Sequence, residues 1–209
     1  MSSVIADSKS ALTTLVVAVA VTFALSVAAA RMPYLPSDVA IARAVQSAAP
    51  VSMRWAQCIT ASAETPWCFI LLALTIGAAW LMRGFWSALL AVVVFLGLWR
   101  LGASLSPLVA QPRPSADLIK VVGHPMGYAF PSIFALIYVA TFGYAGAVAT
   151  TRFRGVQLLA IVLVMIAILA VGAAARLALG AHWPSDLWGA YLIGFLWIAG
   201  LMRLLPNSE

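Results

Sequence analysis

Charge is scarce in this sequence. Asp, Glu, Lys and Arg make up only 9% of the 209 residues and hydrophobic residues 64%, whereas a soluble domain carries about 25% charged residues. That shortage excludes a water-soluble globular chain and implies a polytopic membrane protein. Thiols are scarcer still. With only Cys58 and Cys68 and no Cys/His cluster at metal-ligand spacing, neither a disulfide scaffold nor a metal site is expected. The two cysteines flank a membrane entry point. They pair if that face is oxidising or remain two free buried thiols, and the sequence leaves both readings open. The basic residues outnumber the acidic ones but stand singly, without a run, which excludes a nucleic-acid footprint. Internal repeats of 20–50 residues and low-complexity segments are also missing.

What is present is a series of long apolar runs. Ala11 to Ala30 carries no formal charge and is long enough to cross the hydrocarbon as a helix, and too long for the apolar part of a signal peptide. Further spans are expected at Pro66 to Met82, Phe85 to about Ser104, about Ala129 to Thr150, about Gly155 to Ala175 and about Asp186 to Leu204. Between the first two, Val39, Ala40, Ala42, Val45, Ala48 and Ala49 have helical spacing, consistent with a short helix on the membrane surface or with a solvated loop. The reading is one all-α, six-helix membrane domain over 11–204, between cytoplasmic tails 1–10 and 205–209. Arg83 in one short turn, and Arg152 with Arg154 in another, place those turns in the cytoplasm by the positive-inside rule. The longer segments 31–65, 105–128 and 176–185 then face outward.

Three polar stretches meet at that outer face: Gln111-Pro112-Arg113-Pro114, Gly127 to Ser132, and Arg176 to Asp186. Polar groups at the ends of apolar spans are costly and therefore usually functional. In the last stretch His182 and Asp186 are four residues apart, which on a helical turn puts them on one face. The carboxylate can then hold one imidazole nitrogen and leave the other free to attack or to take a proton. Arg176 could hold an anion against it.

In order and spacing these stretches resemble the membrane branch of the phosphatidic acid phosphatase type 2 and haloperoxidase superfamily. Its signature is Lys-x6-Arg-Pro, then Pro-Ser-Gly-His, then Ser-Arg-x5-His-x3-Asp. The third motif fits best, through Arg176, His182 and Asp186. The resemblance implies a six-helix bundle and a two-step hydrolysis at the outer face of, by expectation, a bacterial inner membrane. His182 would attack phosphorus, Asp186 would orient its ring, and Arg113, Ser132 and Arg176 would bind the phosphoryl oxygens. The implied partner is a phosphorylated lipid, and no cofactor or metal is called for. The sequence departs from the signature at Ser106 for the lysine, Ala175 for the serine, and Ile133-Phe134 for Gly-His. Phe134 stands where the leaving-group acid belongs, a role worth about 10²–10⁴ in rate. Arg100, Lys120 and His124 are the candidate substitutes. Three functions are therefore carried forward: a lipid phosphatase or diphosphatase, a pseudophosphatase that binds a phosphorylated head group, and a small transporter.

Overall fold

A computed structural model describes residues 2–205, with side chains from residue 9 onward. Helix α1 is Ser2–Arg31, so helix continues through most of the polar segment expected as a tail, and residues 206–209 of the other tail lie outside the described residues. Pro33 and Pro36 follow α1 and stop it. Two short helices follow at one end of the molecule, α2 at Asp38–Ala48 and α3 at Arg54–Ser62. Of the two readings open for 39–49, helix or solvated loop, the structure has the helix, and α3 is an addition. The buried residues are Asp38 and Ala42 in α2 and Ala56 in α3, and the two alanines are small enough to let each helix lie close to the bundle.

Helix α4, Trp67–Arg83, has only 17 residues and counts as a span only together with α3, from which it bends by 61°. Gly84, at φ +84°, separates it from α5, Phe85–Val109. The next span is α6, Ile133–Tyr138, a π-helical turn at Val139–Gly143, and α7, Tyr144–Arg152. Helix α8 is Gly155–Ala178 and α9 is Pro184–Met202. Among the described residues, five helices or continuous helical runs are long and apolar enough to cross a membrane, and six if the bent α3–α4 pair is one span. The fold is an all-helical integral membrane bundle.

The α6–α7 span is the centre, with Leu136, Ile137, Val139, Tyr144 and Val148 buried against α4, α5, α8 and α9. Gly172 of α8 sits so close to it that an added Cβ would lie 2.7 Å from Tyr138 and 3.2 Å from Phe134. At the same end of the bundle as α2 and α3 lie the 110–132 loop, the end of α8 and the start of α9. Gly180 closes α8 at φ +65°, and Lys120 O packs where its Cβ would be. A glycine is required there by conformation and by space.

Candidate phosphate site

His182 and Asp186 are not on one helical turn, as their spacing suggested. Trp183 is the residue before α9, so His182 precedes the helix and Asp186 lies in its first turn. Asp186 Oδ2 accepts the Trp183 backbone N–H at 2.8 Å and stands 3.6 Å from His182 Nδ1. The carboxylate thus caps the helix and faces the ring together. Both side chains are buried.

The other ring nitrogen faces the remaining polar groups. Arg113 Nη1 lies 3.1 Å and Ser132 Oγ 3.3 Å from His182 Nε2. A guanidinium can only donate, so Nε2 is the acceptor and the ring proton belongs on Nδ1, toward Asp186. Arg113 is held by its own donations: Nη1 to Ala181 O at 2.6 Å, and Nε and Nη2 to Met126 O at 3.1 and 2.9 Å. Ser132 is the N-cap of α6 and accepts from Ala135 N at 3.3 Å, so its hydroxyl sits at a helix N-terminus. Burial pushes the His182 pKa well below its ordinary value, and Arg176 and Arg113 push it further down. The ring is therefore neutral at neutral pH, as a nucleophile must be. Burial also lowers the Arg113 pKa, with Asp186 opposing.

Arg176 approaches from the last turn of α8. Its guanidinium lies over the Phe134 ring, 5.3 Å from the centroid, and Nη1 donates to Thr60 Oγ1 at 3.4 Å. Phe134 stacks in turn on Tyr138 at 4.2 Å. The position of the missing acid is filled by an apolar ring that backs an arginine. Five buried side-chain N or O atoms among the described residues lack a hydrogen-bond partner, and four belong to Gln111, Arg176, His182 and Asp186. Such atoms are costly to bury and rare in ordinary cores; of these, His182 Nδ1 faces Asp186 at 3.6 Å, and the Arg176 Nε–H is a buried donor that a ligand oxygen could satisfy.

Arg113, Ser132, Arg176, His182 and Asp186 are thus brought together. The three candidate substitutes are not. Arg100 is exposed on α5, whose buried stripe runs Val94, Leu98, Gly102 and Ser106; two residues from that stripe, Arg100 points away from it. Lys120 and His124 are exposed in the 110–132 loop, and the Lys120 backbone is clasped by Gln46. Cys58 is exposed, Cys68 is buried, and neither is paired. Sequence reasoning missed Thr60 of α3, which accepts from Arg176, and Asp38, which holds Ser185 at the start of α9. Beside the site an apolar groove of about 540 Å³ runs between α8 and α9, beginning at Leu177 and Pro184 and continuing along Leu187, Trp188 and Tyr191.

Comparison with known proteins places the chain in a family and a fold. The family model of the PAP2 superfamily matches residues 80–209, and the chain belongs to that superfamily. It is a membrane protein of the phosphatase, hydrolase class. Its fold is similar to the crystal structure of the first transmembrane PAP2 type phosphatidylglycerolphosphate phosphatase from Bacillus subtilis. That match has a TM-score of 0.71 at 17% identity, over 90% of this chain and 97% of the other. No curated protein matches at a significant level.

Proposed function

We propose that the chain is a lipid phosphatase or diphosphatase that works at the outer membrane face through a phosphohistidine. The observation that carries this reading is the orientation of His182: Nδ1 toward a carboxylate, and Nε2 toward Arg113 and Ser132. In the first step Nε2 attacks phosphorus, the bond from phosphorus to the leaving oxygen breaks, and the electron pair departs with that oxygen. Asp186 stabilises the positive charge that develops on the ring. Arg113, Arg176 and Ser132 receive the phosphoryl oxygens; water then attacks phosphorus, the phosphorus–Nε2 bond breaks with its electron pair returning to the ring, and the water proton passes to bulk water as phosphate leaves. Phosphoryl transfer depends mostly on positioning and charge stabilisation, which is what these residues supply. The apolar groove beside them suits the hydrocarbon chain of a membrane lipid.

Phe134 shapes the substrate preference. A leaving lipid alkoxide needs a proton, and no acid stands at that position. A leaving phosphate needs little protonation, so diphosphate lipids such as polyprenyl diphosphates are the preferred class. The same residue favours a second reading, a protein that binds phosphorylated head groups without turnover.

Phosphate release by the purified chain, compared between a polyprenyl diphosphate and phosphatidic acid, tests the proposal. Faster release from the diphosphate, abolished in His182→Ala, is the expected result. Equal rates would remove the diphosphate preference, and binding without release would establish the second reading.

A further inference from the structure

Asp38 is a buried carboxylate, 1% exposed, at the start of α2, far in sequence from every motif residue. Its oxygens accept three hydrogen bonds: from Leu35 N at 2.7 Å, Ser185 N at 3.0 Å and Ser185 Oγ at 2.6 Å. The Ser185 N–H is one of the first-turn donors of α9 that no helix carbonyl can reach. An acid from another helix therefore does what a cap residue would ordinarily do, and the positive end of α9 favours its charge.

Two carboxylates thus share the start of α9. Asp38 takes the N–H and hydroxyl of Ser185, and Asp186 takes the N–H of Trp183 while facing His182. With Asp38 removed, Asp186 becomes the carboxylate nearest to the freed Ser185 N–H, and any rotation toward it draws the carboxylate from the imidazole. Helix α2 is tied to the site elsewhere too: Arg43 donates to Leu118 O and Gln46 donates to Lys120 O and Leu177 O, while Tyr34, in the segment leading into α2, packs on Trp183 at 5.0 Å. It spans the 110–132 loop, the end of α8 and the start of α9.

We propose that Asp38 is a positioning residue: by holding Ser185 it reserves Asp186 for His182 and keeps Nε2 turned to the phosphate site. This rests on reading His182 as the nucleophile.

The test uses the full chain in detergent with ¹⁵N-labelled histidine, comparing wild type with Asp38→Asn, Asp38→Glu, Ser185→Ala and the Asp38→Asn/Ser185→Ala double variant. The ring shifts of His182, assigned by their loss in His182→Gln, report its tautomer. Wild type is expected to hold the Nδ1–H form, and Asp38→Asn to show a mixture of tautomers. Phosphate release should fall in kcat by about 10–100-fold, the cost of a misplacement of about 1 Å. KM should stay within about two-fold, because Arg113 and Arg176 are held from other elements. Ser185→Ala should lose less, the double variant no more than Asp38→Asn alone, and Asp38→Glu should recover part of the loss. A folded Asp38→Asn with the wild-type tautomer and wild-type kcat would overturn the proposal, as would single losses that multiply in the double variant. If Asp38→Asn does not fold, Ser185→Ala decides on the same readouts. A wild type without turnover would defeat the phosphatase reading, while the tautomer would still decide the role of Asp38.

Discussion

At the scale of single residues, the site is a neutral histidine between an acid and two arginines. Its depressed pKa has a definite sign. Burial and the nearby positive charges favour the neutral ring, so kcat/KM should not fall from His182 protonation near its ordinary value, and the acid limb should lie well below pH 6.5. Removing the Arg113 charge takes away one of those influences. In Arg113→Gln the acid limb should therefore move to higher pH, alongside a loss in rate of about 10²-fold for one missing charge-stabilising donor set. A pH–rate profile measures both, and a limb that stays put would mean that Arg113 does not act on His182. Arg113→Lys should not rescue fully, since an ammonium cannot reproduce the planar fork now shared among Met126, Ala181 and His182. Phe134→His tests the missing acid. It should raise hydrolysis of phosphatidic acid by about 10-fold or more and change diphosphate hydrolysis much less. A parallel rise in both would show that leaving-group protonation is not what separates the two substrates.

At the scale of elements, the contacts that assemble the site are made by turns and caps. Gly180 is the clearest, since both its φ of +65° and the approach of Lys120 O exclude a side chain. Gly180→Ala should destabilise the protein by at least about 1–2 kcal/mol, the cost of the left-handed conformation alone, and a thermal melt in detergent reads it. An unchanged melting temperature would mean that the end of α8 and the 110–132 loop are not packed as described. The sequence made much of this site legible. Arg176, His182 and Asp186 could be found from spacing, because that stretch is short and its contacts are local. The helix assumed for the pair was wrong because Pro184 starts α9 after His182 instead of before it. Asp38 and Thr60 were not legible, since their partners lie 147 and 116 residues away and nothing in a local pattern reports such a contact. Arg100 misled because its position along the chain suited the site while its helix face did not.

At the scale of the whole molecule, the site, α2 and α3 share one end of the bundle, and the basic short turns Arg83 and Arg152–Arg154 lie between spans at the other. If those turns are cytoplasmic, the site faces outward. Cys58 offers a direct check, because it is exposed on the α3 face that also carries Arg54 and Gln57, whereas Cys68 is buried. A membrane-impermeant thiol reagent should label intact cells at Cys58 in a Cys68→Ser background; labelling only after lysis would reverse the orientation. Composition made the membrane class plain, since too few charges remain for a soluble surface, whereas the second of the six expected spans is the bent α3–α4 pair. The chemistry asked of this arrangement leaves a covalent trace. Acid-free quenching of the purified chain during turnover of a polyprenyl diphosphate labelled in its terminal phosphate should trap label on His182, and none in His182→Ala. Turnover without label on His182, or label that persists in His182→Ala, would contradict the account.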